Sequence, residues 1–195
     1  PEVFNKINPK EIMNFIEGLN LRSRGEPISI RSYQFDAVCS AIRERRSLLL
    51  SPTGSGKSLI IYVLMRWYME NHHDNVLVIV PTTSLVQQMF ADFSDYSSYD
   101  DSVNIENDCH FIYSGQAKTG IKERIIISTW QSIYKLPATW FSNFGIIFGD
   151  ECHGFKSKSL TSIMNKSRNT GYRFGTTGTL DGTETHKLVL EGLFG

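Results

Sequence analysis

A short apolar run, Leu48-Leu49-Leu50, passes directly into Ser51-Pro52-Thr53-Gly54-Ser55-Gly56-Lys57-Ser58, and a stretch with Leu59, Ile60, Val63, Leu64 and Trp67 on one side follows. This order of strand, glycine-rich turn and amphipathic helix constrains the chain more than any other feature. A turn of this kind points successive backbone N–H groups inward at phosphate oxygens, and the helix N-terminus adds partial positive charge. Gly54 and Gly56 permit backbone geometry that a side chain would obstruct. Lys57 is placed to reach the β- and γ-phosphates and the Ser58 hydroxyl to hold magnesium, with Pro52, Thr53 and Ser55 completing the nucleotide-binding loop. The strict form of the pattern has glycine where Ser51 stands. A chance match remains the alternative, and the flanking strand and helix weigh against it.

Such a loop needs an acidic partner for the metal. Ile146-Ile147-Phe148-Gly149-Asp150-Glu151 is an apolar strand ending in two carboxylates. Asp150 is expected to hold magnesium, and Glu151 to orient and deprotonate the attacking water. An acidic pair on a solvated turn is the bland alternative.

The rest of the chain alternates. Asn8, Pro9 and Glu11 mark a helix start before Ile12, Phe15, Ile16 and Leu19, and a loop with Gly25 and Pro27 follows. Helical patterns also cover 33–45 and 85–93, and strands are expected at 48–50, 76–80, 111–113, 125–128, 146–148 and 172–176. Short apolar strands alternating with helices imply a mostly parallel sheet with helices on both faces, which binds ligands beyond the carboxyl ends of its strands. Residues 92–108, rich in Asp, Ser and Asn, read as a helix end and exposed loop. Residues 1–27 read as a helical appendage or the tail of a missing domain, and 28–195 as the ATP-binding domain.

Asp150-Glu151-Cys152-His153 spells DECH, and with it the chain resembles the first RecA-like domain of superfamily two helicases of the DExH type. Arg31-x-Tyr33-Gln34 resembles the Q-motif, whose glutamine reads the adenine edge. Pro81-Thr82-Thr83-Ser84-Leu85-Val86-Gln87-Gln88 resembles motif Ia, Ser128-Thr129-Trp130-Gln131 motif Ib, and Thr177-Gly178-Thr179 motif III. VPTTSLVQQM, STWQS and GTTGTLDG further resemble phage-encoded recombination helicases. The resemblance implies a RecA-like P-loop fold, ATP and Mg2+ as cofactors, and ATP-driven translocation on single-stranded or branched DNA in recombination, repair or fork rescue. It implies that Thr82, Thr83, Thr129, Trp130 and Gln131 face nucleic acid, and that His153, Thr177 and Thr179 couple ATP state to a second RecA-like domain. Trp130 as a core aromatic and His153 as a solvated side chain are the alternatives.

Twenty basic residues balance twenty acidic ones, so bulk charge neither suggests nor excludes a nucleic-acid partner. Lys156, Lys158, Lys166, Arg168 and Arg173 make the segment after DECH locally basic, either a DNA-facing patch or a solvated loop. Cys39, Cys109 and Cys152 show no metal-ligand spacing and read as reduced, mostly buried thiols of an intracellular protein, placed in the infected host if phage-encoded. His72 and His73 lack further ligands at useful spacing. No apolar run approaches the roughly 20 residues of a membrane helix. The chain begins at Pro1 and shows no QxxGRxxR-like segment, so it reads as part of something longer, lacking its second RecA-like domain.

A GTPase is disfavoured because Asn165-Lys166 continues as Ser167-Arg168 rather than NKxD. A restriction-subunit motor, an RNA helicase and a non-catalytic, nucleotide-switched nucleic-acid-binding module stay open.

Overall fold

The computed structural model describes residues 7–50, 56–178 and 194. Helix α1 (Pro9–Gly18) opens as its capping residues dictate, with the Asn8 side chain accepting from the Lys10 N–H and Pro9 in the first turn. A hairpin follows, β1 (Arg22–Ser23) and β2 (Glu26–Pro27), closed by Arg24 and Gly25 at φ 53° and 82°. Two consecutive positive φ values match the twist of a tight hairpin, so the loop expected here is a small antiparallel ribbon. The Arg24 N–H ties it to Asp95 at 2.8 Å.

The remaining elements are α2 (Ser32–Glu44), β3 (Arg46–Leu50), α3 (Lys57–Asn71), β4 (Asn75–Val80), α4 (Thr83–Tyr96), α5 (Ile105–Asp108), β5 (Cys109–Ile112), β6 (Ile125–Thr129), α6 (Trp130–Ile133), α7 (Ala138–Phe141), β7 (Phe144–Gly149), a 3-10 turn (Cys152–Gly154), α8 (Ser157–Lys166) and β8 (Tyr172–Thr177). Strands β3 to β8 form one six-stranded sheet in the order β3-β8-β7-β4-β6-β5, parallel throughout. This is the sheet with two covered faces that the alternating pattern implied. Every residue of β7 is buried, and all of β4 beyond Asn75, as expected of strands covered on both sides.

Side chains alternate between two cores. Val76, Val78 and Val80 of β4 face the layer of α1 to α4, whereas Leu77 and Ile79 face α6 to α8. The N-terminal helix shares the first core: Ile12, Ile16, Leu19 and Leu21 pack in one cluster with Val38, Ala41 and Ile42 of α2. On the second face, Phe194 is fully buried against Gly149 and Gly175, which pair across β7 and β8. A Cβ at Gly175 would lie 2.8 Å from the Phe194 ring, so the paired glycines make the slot that admits it. No helix among the described residues is long and apolar enough to cross a membrane.

The acidic stretch after α4 differs from the exposed loop expected. The Asp100 side chain is largely covered, and its Oδ2 accepts from Arg66 Nη2 of α3 at 2.9 Å, while the same guanidinium nitrogen lies 2.7 Å from Ser102 Oγ. Burial pushes the Asp100 carboxyl upward, but hydrogen bonds from Ser102 and the Arg66 charge outweigh it and leave the pKa below its ordinary 3.8. A carboxylate with a depressed folded pKa contributes stability at neutral pH that disappears as pH falls through the folded value. Arg66→Ala, which strands a buried carboxylate, should lower the unfolding free energy by about 3 kcal/mol or more at pH 7. Urea unfolding at pH 7 and pH 3 is the check: the deficit should narrow at pH 3, and an equal deficit at both would exclude the ion pair as its cause.

Candidate nucleotide and nucleic-acid site

The parallel register decides what meets what beyond the strand ends. Gly149 of β7 stands opposite Gly175 of β8, so Asp150 and Thr176, one residue on, face each other across the same gap. Thr176 Oγ1 donates to Asp150 Oδ1 at 2.5 Å, and Asp150 is only 3% exposed. Its backbone N–H is held by Ile79 O of β4 at 2.9 Å.

Glu151 turns the chain through a left-handed conformation, φ 52° and ψ 47°, unusual for a residue with a Cβ and costing on the order of 1 kcal/mol. Three contacts hold the strained turn. The Glu151 N–H approaches Thr176 Oγ1 at 3.4 Å, the buried Cys152 thiol donates to Gly149 O at 3.1 Å, and His153 Nε2 lies 3.2 Å from Glu151 Oε2. On its other edge, His153 Nδ1 accepts from the Gly178 N–H at 3.4 Å and lies 3.0 Å from Thr177 Oγ1. An Nδ1 that accepts a backbone N–H places the ring proton on Nε2, where it donates to Glu151. His153 therefore bridges the Asp150-Glu151 turn to the end of β8.

Across the gap stands α3. Gly56 caps it at φ 75°. A side chain at Gly56 would collide with the Gln34 amide, whose Nε2 donates to Gly56 O at 3.1 Å while its Oε1 accepts the Arg31 N–H at 2.9 Å. Gln34 is thus buried beside Gly56, and among the described residues it uses one of its two amide protons and one carbonyl lone pair in these bonds. Ser51, Pro52, Thr53, Gly54 and Ser55, and Thr179 beyond β8, lie outside the described residues. Lys57 enters the site from the first turn of α3: its ammonium lies 3.5 Å from Asp150 Oδ1 and contacts Glu151 Oε1 directly.

One ammonium against two largely buried carboxylates leaves an excess of negative charge, which suits a cation. The oxygens available, the Asp150 carboxylate and the Ser58 hydroxyl, are hard donors. Among the described residues no cluster of three or more His, Cys, Asp or Glu side chains is gathered. That combination fits magnesium, which is held by one or two carboxylates and keeps most of its water, better than zinc or calcium. Ser58 Oγ rests 2.7 Å from Tyr96 Oη of α4.

Of the residues expected to face nucleic acid, Thr82, Thr83 and Gln131 are exposed at the ends of the neighbouring strands β4 and β6. The Thr82 side chain caps α4 by accepting from the Leu85 N–H, and Gln131 Nε2 donates to Pro81 O at 3.1 Å. Thr129 and Trp130 point inward instead. Thr129 is 5% exposed with its hydroxyl 2.8 Å from Ser132 Oγ, and Trp130 is 7% exposed in the core with Ile133. No Trp130 ring face is open to a base, because β6 ends by turning its first helical side chain under the sheet rather than over it.

The basic segment also divides. Arg173 is buried and donates to Met164 O and Ser167 O, and Lys166 donates to Tyr134 O at 2.8 Å. Lys156, Lys158 and Arg168 are exposed. Lys158 and Lys166 lie on helix α8 and Arg173 in β8, so most of the segment is regular structure rather than loop. Sequence reasoning missed Thr176 and Tyr96. Thr176 had a signal, a second threonine one residue before the one expected to couple; Tyr96 had none.

The family model described as type III restriction enzyme, res subunit, matches residues 27–182. The ATP-dependent DNA helicase uvsW of Enterobacteria phage T4 is 34% identical over 200 residues, covering 100% of this chain and 39% of that protein. The DNA 3'-5' translocase XPB2 of Sulfurisphaera tokodaii is 26% identical, covering 85% of this chain and 34% of its own length. The chain therefore spans well under half of either relative. The crystal structure of the bacteriophage T4 UvsW helicase superposes with a TM-score of 0.87 at 34% identity, over 98% of this chain and 67% of that one. The Hef helicase domain of Pyrococcus furiosus, 20% identical with a TM-score of 0.70, shares the fold. On the strength of the matched model and the UvsW structure, this chain belongs to the ResIII family, with the fold of the RecA-like ATP-binding domain of superfamily two helicases.

Proposed function

We propose that this chain is the ATP-hydrolysing half of a DNA translocase that remodels branched DNA in recombination, repair or fork rescue. The observation that carries this reading is the convergence of Lys57, Asp150 and Glu151 beyond the strand ends, with His153 joining them to Thr177. A non-catalytic binding module has no chemical need for a strained glutamate held against a lysine.

In this reading Arg31 and Gln34 flank the adenine, residues 52–58 cradle the phosphates, and Lys57 moves from Glu151 onto a phosphate oxygen. Glu151, released from the ammonium, accepts a proton from the water that attacks the γ-phosphorus, and ADP and phosphate leave. Asp150 and Ser58 would hold magnesium, which when bound offsets charge on the phosphates. Thr176 fixes the Asp150 carboxylate, and His153 reports the state of Glu151 to Thr177 and Thr179. A second RecA-like domain outside this chain supplies arginines to the transferred phosphoryl group, so this chain alone turns over slowly and does not unwind DNA.

Exposed hydroxyls at Thr82 and Thr83 and the Gln131 amide grip a strand by its phosphates, without reading sequence. DNA as substrate is supported by the similarity to UvsW, an ATP-dependent DNA helicase, and to XPB2, a DNA 3'-5' translocase. The site of action is inside the cell, in the infected bacterial host if the chain is phage-encoded. Residues 1–27 act as an appendage, with Ile12, Ile16, Leu19 and Leu21 packed on the motor domain, and 28–195 as the motor domain itself.

Glu151→Gln should cut ATP turnover at least about a hundredfold while leaving ATP affinity within about twofold; Lys57→Ala should lose both. Retained turnover in Glu151→Gln would remove Glu151 from the role of base. Thr176→Val, which deletes the donor to Asp150, should reduce turnover by about tenfold, the equivalent of roughly 1.4 kcal/mol for a charge-assisted hydrogen bond. Turnover should be stimulated by branched or single-stranded DNA once a second RecA-like domain is joined. Stimulation by RNA alone would keep the motor and change its track, and stimulation by neither would favour the nucleotide-switched module.

A further inference from the structure

The magnesium-holding hydroxyl expected at Ser58 has a partner that no motif contains. Ser58 Oγ lies 2.7 Å from the phenolic oxygen of Tyr96, the last residue of α4. A serine hydroxyl has one proton and two lone pairs, so whichever group takes its proton decides where the lone pairs point. Asp150 does not compete on its Oδ1 side, which is occupied by the Thr176 hydroxyl at 2.5 Å and faces Lys57 at 3.5 Å. Of the two directions this hydroxyl pair admits, the one with Ser58 donating to Tyr96 Oη leaves both Ser58 lone pairs free for a cation.

The tyrosine is fixed well enough to impose that direction. Its ring packs on Tyr62 of α3 at 5.5 Å between centroids, and Tyr62 packs in turn on Phe93 at 5.7 Å. Tyr62 and Phe93 are both fully buried. Tyr62 also sits one helical turn after Ser58, so the same face of α3 presents the hydroxyl and the aromatic wall against which Tyr96 rests.

We propose that Tyr96 is a positioning residue of the metal–nucleotide site: through its hydroxyl it orients Ser58 toward the magnesium ion. This rests on the reading of residues 51–58 as a nucleotide site and adds to it a residue 38 positions away in the chain.

The test is magnesium-dependent binding of a fluorescent, non-hydrolysable ATP analogue to this chain, titrated with MgCl2 and repeated in excess EDTA. Tyr96→Phe keeps the ring and removes only the hydroxyl. It should raise the Mg2+ concentration at half-maximal binding about fivefold, the size expected for one lost hydrogen bond, and leave affinity in EDTA and the thermal midpoint unchanged. Ser58→Ala should shift the same midpoint at least as far, and adding Tyr96→Phe to it should shift it no further, because the route runs through that serine. An unchanged midpoint in Tyr96→Phe, a further shift in the double variant, or a loss of binding equal with and without Mg2+ would each overturn the assignment. If Ser58→Ala itself moves nothing while Lys57→Ala still abolishes binding, the magnesium role of Ser58 fails and the proposal with it. If neither variant affects binding, the nucleotide-site reading itself is at fault.

Discussion

Everything chemical in this molecule depends on the register of β7. Because Gly149 pairs with Gly175 and β7 also pairs with β4, the residues just past these strands are placed by backbone hydrogen bonds before any side chain acts. Asp150 then falls opposite Thr176, and His153, beyond the turn, reaches Thr177. A slip of one residue would send Asp150 to the opposite face of the sheet, away from Lys57. The slot for Phe194 reinforces this register from beneath, since side chains at either glycine would push the ring out. The catalytic edge is thus secured by packing on the face that carries no chemistry.

Burying two carboxylates costs more than one ammonium returns, and the fold meets that cost with donors as well as charge. Asp150 takes the Thr176 hydroxyl, Glu151 takes Lys57 and the His153 ring N–H, and the left-handed turn at Glu151 is held by the Cys152 thiol and the Gly149 carbonyl. Cys152, His153 and Gly149 belong to the turn itself, whereas Lys57 comes from α3 and Thr176 from β8. The site is therefore sensitive to the relative position of α3, β7 and β8, which suits a domain whose nucleotide state must be felt elsewhere.

The parts of this arrangement legible in the sequence were those encoded locally. Apolar runs such as Val76–Val80 announced strands, the glycine turn before Lys57 announced a phosphate loop, and Asp150-Glu151 declared itself by following an apolar run. What stayed hidden needed a partner distant in the chain. Asp100 looked like one more loop acid because Arg66 lies a helix away. Trp130 and Thr129 sat in a motif-like string, yet their directions were set by how β6 ends against the second core. Helix α8 was obscured by its Ser, Lys and Asn content, since its apolar positions Leu160, Ile163 and Met164 are few and only the sheet beneath selects them. Strand β5 begins at Cys109, two residues before the apolar run suggested, because parallel pairing with Ile125 and Ile126 extends it through His110.

Helix α4 joins the two halves of the site in a way that neither motif suggests alone. Its first turn is capped by Thr82 beside the exposed hydroxyls of Thr83 and Ser84, and its last residue meets Ser58. Fourteen residues of α-helix span about 21 Å. Along that length Val86, Met89 and Phe93 are buried in the first core, so the helix cannot easily bend or roll independently of the sheet. One packed helix therefore fixes the distance between the Thr82 end and the Tyr96–Ser58 contact.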